Sequence, residues 1–238
     1  MISVCMTTYN GVEFVGAQIE SILAQIGSQD ELIVADDGST DGTLDAVRAF
    51  GDSRIVVICS GDKPLGPTYN MERALGAARG DFIFLSDQDD VWLPGKVARV
   101  LDMLSCETLV MHDAYMLKKD VLSGMWVHGK LLGEVRPFAK GKLRNWFKNG
   151  YTGCCMAFRR ELLEHALPFP KNLPMHDQWL GLVAERKFSV GYIPEALVEY
   201  RQHSMNATHI ERSSAGMLQR LKWRIALAKA LIKFSSRS

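Results

Sequence analysis

The sequence predicts an α/β fold in which a mostly parallel central sheet carries helices on both faces. Short apolar runs alternate with segments of helical periodicity over roughly the first hundred residues, which is typical of repeated β-α units. Polar clusters directly follow three of these runs, as in sheets whose strands end at a common ligand-binding edge. With 238 residues, of which 47% are apolar, the chain is long enough to bury a large core.

The first β-α unit begins with an apolar strand at residues 2–8 and continues into an amphipathic helix. Its apolar side chains recur at helical spacing at Val12, Val15, Ile19, Ile22 and Ile26. Asn10 is positioned to cap this helix, and Glu13 can return a hydrogen bond to it. The pattern therefore predicts a helix that starts directly after Asn10.

The next units repeat this alternation. A second strand at 31–35 precedes a helix around 41–50, and a third strand at 54–58 precedes a helix in which Pro67 is an early residue. The fourth strand runs directly into a polar cluster formed by Asp87, Gln88, Asp89 and Asp90. Because strands joined by helical crossovers run parallel, we expect these strands to end at one edge of the sheet.

The acidic cluster at residues 87–90 has two interpretations. Three carboxylates in four positions repel one another, and their desolvation is costly unless a cation or hydrogen-bond donors share the site. A hard divalent cation, Mg²⁺ or Mn²⁺, with phosphate oxygens in its shell would satisfy them. Alternatively, the cluster is a turn that caps a helix starting at Pro94. Its expected proximity to Tyr9 and to the pair Asp36 and Asp37 favours the functional interpretation.

Composition and motifs disfavour several other classes of protein. The 28 basic and 27 acidic residues produce no overall field, so no nucleic-acid partner is expected. The glycine patterns of dinucleotide-binding enzymes and of P-loop ATPases are absent from the sequence. Five cysteines match neither a disulfide framework nor a paired metal motif. No apolar run reaches the ~18 residues of a membrane span, and no signal peptide is recognisable, so a cytoplasmic location is expected.

Three motifs carry a resemblance to a known family: SVCMTTYNG, VADDGSTDGT and FLSDQDDVW. In this order and spacing they resemble the nucleotide-sugar-binding half of family 2 glycosyltransferases with the type A fold. The later segments GCCMAFRREL, MHDQWLGLV and VGYIPEALVEYRQH resemble the bacterial branch that includes rhamnosyltransferases of surface polysaccharide synthesis, such as O-antigen. The resemblance covers about residues 1–205 and implies a nucleotide-sugar-binding half at 1–112 and an acceptor-binding and catalytic-base half of the same domain at 113–205. It leaves the rest unexplained, and composition predicts a basic amphipathic helical tail at 206–238.

The resemblance assigns donor-binding roles to the first half. Positions that hold the pyrimidine base in the family correspond to Thr7, Tyr9 and Asp37. The family's DxD motif corresponds to Asp87, Gln88 and Asp89. Asp89 is the expected metal ligand, while its neighbours contact the ribose or fix the turn. Asp90 also belongs to this donor-binding group, because some relatives shift the roles by one position.

The second half is expected to supply the chemistry. Asp177 matches the family's catalytic base, which the reaction needs because an acceptor hydroxyl is too weakly acidic to attack unaided; the alternative is an N-cap carboxylate. His176 and Trp179 are candidates for the acceptor pocket, although Trp179 also fits a core position. His203 matches a histidine that closes the metal site, with a purely structural role as the alternative. Arg201 suits the oxygens of the donor diphosphate.

Two regions lie outside these motifs. Residues 105–150 look irregular, and are either an ordinary connection or an acceptor-facing loop in which Trp126 or Trp146 stacks on a sugar. Residues 212–238 carry seven basic residues and no acidic one. Their apolar stripe consists of Leu218, Leu221, Ile225, Ala228 and Ile232. Such a helix either binds an anionic membrane surface or packs on the catalytic core.

The sequence thus predicts a metal-dependent, inverting glycosyltransferase that moves a hexose or deoxyhexose from a dTDP- or UDP-sugar donor to a glycan or lipid-linked oligosaccharide. It is expected in the cytoplasm, peripheral on the cytoplasmic face of the inner membrane. The alternative is a non-catalytic nucleotide-sugar or glycan-binding module of the same fold. A sugar-1-phosphate nucleotidyltransferase is disfavoured because TTYNGVEF lacks a basic glycine-rich loop. An aspartyl phosphatase is disfavoured because its acidic motif would follow the first strand.

Overall fold

The computed structural model describes residues 1–61, 63–120, 123–203 and 216–235. In this part of the chain one sheet contains the strands β1 (Ile2–Thr8), β2 (Glu31–Asp36), β3 (Ile55–Cys59), β4 (Phe82–Asp87), β5 (Val91–Trp92), β6 (Leu109–Lys119), β7 (Trp126–Leu131), β8 (Met156–Arg159) and β9 (Val190–Gln202). The helices are α1 (Val15–Leu23), α2 (Thr43–Arg48), α3 (Pro67–Ala77), α4 (Lys96–Leu104), α5 (Leu132–Val135), α6 (Lys142–Phe147), α7 (Glu161–Ala166), α8 (His176–Lys187) and α9 (Met217–Ser235).

The strands lie in the order β3-β2-β1-β4-β8-β6-β9-β5, with β7 also paired to β6. The four strands β1 to β4 are mutually parallel, and so are β6 and β9. Antiparallel pairing enters where β8 lies between β4 and β6, and again at β5 and β7. The α/β fold predicted from the alternating pattern is confirmed, and the second half adds antiparallel strands to it.

Burial explains why the apolar runs became strands. Leu32, Ile33 and Val34 of β2 have no exposed surface, because helices cover both faces of the sheet. One contiguous buried core extends from Ile2 to Ala230 and includes side chains from both halves of the chain.

The register of the parallel strands places the polar clusters at their ends side by side. Thr7 of β1 pairs with Asp87 of β4, while Thr8 pairs with Asp36 of β2. The three neighbouring strands therefore end side by side, and the side chains that follow them share one edge of the sheet.

The predicted cap of the first helix is wrong. Asn10 adopts a left-handed conformation with φ of 47°, which asparagine tolerates better than most residues. Its Oδ1 accepts a hydrogen bond from Thr40 N across the site edge. Helix α1 begins only at Val15, whose N–H donates to Gly11 O. Asn10 therefore joins two loops instead of starting a helix.

The region 105–150 is more regular than its sequence suggests. Strand β6 is largely buried in the middle of the sheet, and β7 pairs with its outer end. Neither tryptophan lies at the candidate site described below. Trp126 stands beside Phe14 with ring centroids 6.3 Å apart, and Trp146 donates its indole N–H to Arg224 O of α9.

The tail helix has two different apolar faces. Leu227 and Ala230 are buried against the core. Leu221, Ile225 and Ile232 of the predicted stripe are instead 51%, 46% and 71% exposed. The residues from 206 to 215, with Arg212, lie outside the described part of the chain. Among the helices described, none combines the length and apolar character required to cross a membrane.

Candidate active site

A cavity of about 410 Å³ opens where β1, β2 and β4 end and α8 begins. Of the residues singled out in the sequence, those that line it are Thr7, Tyr9, Asp37, Asp87, Gln88, Asp89, His176 and Asp177. Further lining residues that no motif indicated include Asn70, Arg136, Thr152 and Tyr200. The cavity therefore joins the predicted donor side to the predicted catalytic side.

The two carboxylates after β2 have different roles. Asp36 is fully buried and accepts hydrogen bonds from Thr8 Oγ1 and from the backbone of the turn that follows it. Asp37 accepts from the N–H groups of Leu65 and Gly66, each at 2.8 Å, and also lines the cavity. Asp36 thus shapes the turn, while Asp37 ties the segment before α3 to the cavity wall.

Gln88 locks the acidic turn to the end of β1. Its Oε1 accepts from Tyr9 N at 2.9 Å, and its Nε2 donates to Tyr9 O at 3.0 Å. A Cβ at Gly11 would come within 2.2 Å of Gln88 Oε1, so only glycine leaves room for this reciprocal pair. The Tyr9 side chain stays 52% exposed at the mouth of the cavity.

Asp89 and His203 come together although more than a hundred residues separate them. His203 Nε2 lies 2.8 Å from Asp89 Oδ2, and both side chains are largely buried. The His203 ring stacks on Phe14, with centroids 4.5 Å apart and planes 16° apart. The stacking of His203, which follows β9, on Phe14, which precedes α1, thereby accompanies a histidine nitrogen placed beside the carboxylate expected to bind metal.

A second cluster lies deeper, where ligand atoms of Asp87, Asp90 and Cys154 fall within 4.8 Å of one another. Burial, reinforced by Asp89 and Asp177, raises the pKa of Asp87 to about 7. Burial and the nearby acidic groups raise the pKa of Asp90 well above its usual value. The carboxylates at the end of β4 therefore lack sufficient positive charge around them.

Lys96, which no motif indicated, supplies part of that charge. Its ammonium is buried, donates to Cys154 O at 3.0 Å and lies 4.1 Å above the Trp92 ring. Burial lowers the pKa of Lys96 to about 8, against the opposing effect of Asp87 and Asp90. The acidic turn does not cap the following helix, because α4 starts at Lys96 after the short strand β5 and has no side-chain cap.

The available ligand atoms suit a hard divalent cation better at Asp89 and His203 than at the deeper cluster of Asp87, Asp90 and Cys154. A carboxylate oxygen and an imidazole nitrogen suit Mn²⁺, whereas a thiol such as that of Cys154 suits softer metals. The hydrogen bond with Cys155, together with burial, also raises the pKa of Cys154, which keeps this thiol protonated, and Lys96 already lies beside this cluster. The cavity-lining position of Asp89 further favours the outer pair.

Asp177 lies in the first turn of α8, one residue inside the start of the helix, and is not its N-cap. Its Oδ1 accepts from Gln178 N at 2.6 Å and from Asn149 Nδ2 at 2.9 Å. Both bonds use the same oxygen, so Oδ2 is the oxygen that neither bond engages. Asn149 O in turn accepts from Arg136 Nε at 2.9 Å, which connects the carboxylate to a cation of the cavity wall.

His176 also faces the cavity. It is buried, and within the described part of the chain neither ring nitrogen has a hydrogen-bond partner. Burial lowers the pKa of His176, so the ring is neutral near pH 7. A neutral imidazole with an open nitrogen suits a hydroxyl of a bound ligand.

Four candidates from the sequence do not line the cavity. His203 lies beside it through its contact with Asp89. Trp179 is a core residue whose indole N–H donates to Ala166 O. Asp90 is fully buried behind the turn. Arg201 donates its backbone N–H to Asp90 Oδ1 and holds its guanidinium 5.7 Å from the Trp126 ring centroid. Trp179, Asp90 and Arg201 therefore do not line this cavity, and the acceptor and donor roles assigned to them stay predictions.

The sequence of this chain is similar to those of known proteins. The model of the family described as glycosyl transferase family 2 matches residues 3–167. A UDP-Glc:α-D-GlcNAc-diphosphoundecaprenol β-1,3-glucosyltransferase, WfgD of Escherichia coli, is 35% identical over 79% of this chain and 72% of its own length. The dTDP-rhamnosyl transferase RfbG of Shigella flexneri is 26% identical over 91% of this chain and 78% of its own.

Solved structures show the same fold. The crystal structure of S. aureus TarS 1-349 with UDP-GlcNAc has a TM-score of 0.73 at 19% identity, and covers 96% of this chain and 65% of its own. Glucosyl-3-phosphoglycerate synthase from Mycobacterium tuberculosis, with Mn²⁺, UDP and phosphoglyceric acid, has a TM-score of 0.60 at 22% identity, and covers 98% of this chain and 78% of its own. The present chain thus spans only part of the length of these proteins.

The raised pKa of Asp87 predicts a pH effect on stability. In the unfolded chain this carboxyl ionises near 3.8, whereas in the folded, metal-free protein it holds its proton to about pH 7. The free energy of unfolding therefore falls as the pH rises between these values, because the unfolded state loses its proton first. Asp87→Asn removes that contribution, so we expect the Tm of the variant to rise relative to wild type between pH 5 and pH 8.

Thermal unfolding in chelator at the two pH values measures this difference. The exposed carboxyl of Asp45, changed to Asn, is the matched control and should show no such trend. An equal Tm difference for Asp87→Asn at both pH values would contradict the assignment.

Proposed function

The chain belongs to glycosyl transferase family 2, and on that premise we propose that it transfers a sugar, with inversion, from a dTDP- or UDP-sugar to a hydroxyl of a lipid-linked surface glycan. The observation that carries this proposal is the single cavity shared by Asp37, Asp89 and Asp177. A nucleotide at the first, a diphosphate at the second and an acceptor at the third would bring both substrates into contact.

The donor side suits a pyrimidine nucleotide. Each carboxylate oxygen of Asp37 accepts one backbone hydrogen bond, Oδ1 from Leu65 N and Oδ2 from Gly66 N. Lone pairs therefore remain to accept a hydrogen bond from a base N–H. The exposed Tyr9 ring at the cavity mouth offers a face to a planar base. The dTDP- and UDP-sugar activities in the names of RfbG and WfgD support the same donor class.

Asp89 and His203 would hold Mn²⁺ or Mg²⁺. Their 2.8 Å approach supports this choice, and so does the Mn²⁺ bound with UDP in the mycobacterial enzyme. When bound, such a cation offsets the charge that develops on a departing diphosphate. Asp87 and Lys96 remain behind this pair and set the electrostatic potential of the turn.

Asp177 is the general base in this proposal. Its Oδ2 takes the proton of the acceptor hydroxyl while the hydroxyl oxygen forms a bond to the anomeric carbon. The bond from that carbon to the diphosphate oxygen breaks on the opposite face, so the configuration inverts. Asp37 is engaged by loop amides, and Asp87 and Asp89 belong to the diphosphate side, which leaves Asp177 as the carboxylate on the acceptor side.

A peripheral location on the cytoplasmic face of the inner membrane completes the proposal. Tail helix α9 turns Leu221, Ile225 and Ile232 outward while Leu227 and Ala230 pack on the core. Exposed Lys222 and Lys229 flank the outward stripe, as suits an anionic lipid surface. A lipid-linked acceptor would lie at that surface.

The proposed activity can be tested with a panel of nucleotide sugars and Mn²⁺, read by release of nucleoside diphosphate. We expect turnover with a dTDP- or UDP-sugar, and its loss in excess EDTA. Asp89→Ala should abolish turnover and metal-dependent donor binding, because uncompensated diphosphate charge would then face Asp87. Asp45→Ala, at an exposed carboxylate, is the control. Donor binding without turnover across acceptors would favour the non-catalytic alternative, and full activity of Asp89→Ala would reject the metal assignment.

A separate kinetic test concerns the proposed general base, Asp177. Asp177→Asn should leave donor affinity nearly unchanged and lower kcat by ~10²–10⁴, the usual value of a positioned base. Asn149→Ala should lower kcat by roughly tenfold to a hundredfold, because a hydrogen bond to a charged group is lost. Normal turnover of Asp177→Asn, or a defect confined to donor binding, would place the base elsewhere.

The tail makes a separate prediction about membranes. Leu221→Ser combined with Ile225→Ser should reduce sedimentation with anionic vesicles without changing Tm, since both side chains point away from the core. Lys222→Ser with Lys229→Ser should weaken only the salt-sensitive part, because each basic residue contributes about 1 kcal/mol near an anionic surface. Unchanged binding by both variants would reject the tail as a membrane contact.

A further inference from the structure

Helix α6 exposes two large apolar side chains that the proposed function does not use. Leu143 is 76% exposed and Phe147 is 56% exposed. They are four residues apart, so they share one face of the helix. Trp146 points the other way and is partly buried against the core.

This face lies next to the outward stripe of α9. The indole N–H of Trp146 donates to Arg224 O at 3.2 Å, and Arg224 donates back to Phe147 O at 3.3 Å. The Arg224 guanidinium also lies 5.4 Å from the Phe147 ring centroid. Arg224 follows Leu221 by three residues on α9, and Leu221 and Ile225 are four residues apart, so the exposed face of α6 lies next to the outward stripe of α9 at Leu221.

Charge distinguishes these two regions from the rest of the chain. Residues 135–160 contain seven basic residues and no acidic one, and so do residues 212–238. Half of the 28 basic residues therefore fall in two acid-free segments of a nearly neutral chain. Although the two segments are far apart in sequence, the contact between α6 and α9 brings Trp146 and Phe147 of the first to Arg224 of the second.

We propose that Leu143 and Phe147 of α6 form, with the outward stripe of α9, one lipid-binding surface for an anionic bilayer. Apolar side chains ringed by cations match the boundary between acyl chains and anionic headgroups. Arg144, Lys148 and Arg224 supply the cations beside the α6 face. Leu143 also lines a groove that contains the half-buried side chains of Glu107 and Glu185. Glu185 accepts hydrogen bonds from Asn145 and Tyr151.

This surface is joined to the proposed catalytic base. Gln178 Nε2, beside Asp177 on α8, donates to Asn145 O of α6 at 2.6 Å. Asn149, two residues after α6, donates to Asp177 Oδ1. Resting on the proposed function, the consequence is that contact of α6 with a bilayer presents Asp177 to an acceptor held in that bilayer.

The test is flotation with vesicles of phosphatidylglycerol and phosphatidylcholine, compared with phosphatidylcholine alone, in the absence of donor. Leu143→Ser with Phe147→Ser is the test variant. Met125→Ser with Val127→Ser is the matched control, because these side chains are 67% and 46% exposed outside α6 and α9. We expect the test variant to lose about tenfold or more in partition to anionic vesicles at high salt, since burying a Leu or Phe side chain is worth more than one tenfold step. The control should match wild type.

Each other outcome overturns the proposal. Equal partition of the test variant and wild type would remove α6 from the surface, and equal loss by the control would show a general effect of polarity. Equal binding of wild type to both vesicle types would reject the anionic partner. A changed oligomeric mass of the test variant with unchanged partition would assign the face to a second copy of the chain. Release of nucleoside diphosphate with a water-soluble acceptor should be equal in all variants, so failure of the proposed function would be seen separately.

Discussion

The arrangement around the site depends on the burial of the carboxylates at the end of β4. Burial, reinforced by neighbouring acidic groups, raises the pKa of Asp87 and of Asp90, so their surroundings favour the protonated forms. Lys96 offsets part of this effect from below. Asp89 lines the cavity next to these groups and lies 2.8 Å from a histidine nitrogen. In the proposed function, a divalent cation bound there with a diphosphate would add positive charge beside this turn.

Much of the fold and one half of the site follow from local sequence. Strands β1, β2 and β4 are recognisable because their apolar runs are short and end in polar residues, and parallel register then brings Thr7 level with Asp87. Lys96 and Asn149 carry no comparable signal. Their roles depend on contacts with Cys154 and Asp177, which the chain reaches only after 58 and 28 residues. No periodicity encodes such pairings, so a fully buried lysine looks like an ordinary helix residue in the sequence.

The errors have physical causes of the same kind. Asparagine is a common helix cap, but the side-chain amide of Asn10 accepts a hydrogen bond from Thr40 N in the turn after β2. The helix starts later, at Val15. Trp179 lies two residues after Asp177, yet helical rotation directs its indole N–H toward Ala166 O. Strand β6 was hidden because polar residues such as His112 and Asp113 interrupt its apolar run. Both are nevertheless buried. His112 Nδ1 is hydrogen-bonded to Asp113 O, and Asp113 Oδ1 accepts from Ala114 N, whereas His112 Nε2 has no partner in the described part of the chain.

The tail shows that two interpretations of one amphipathic pattern need not exclude each other. Packing on the core uses Leu227 and Ala230, whereas the stripe visible in the sequence at Leu221, Ile225 and Ile232 remains outside. A helix that is apolar on two sides can attach to the domain with one and to another surface with the other. Because α6 contacts α9 and is hydrogen-bonded to α8, the proposed lipid-binding surface and the proposed general base are connected through a short path of direct contacts. If the proposed surface binds lipid, the orientation of the cavity toward the bilayer would follow from packing within the domain.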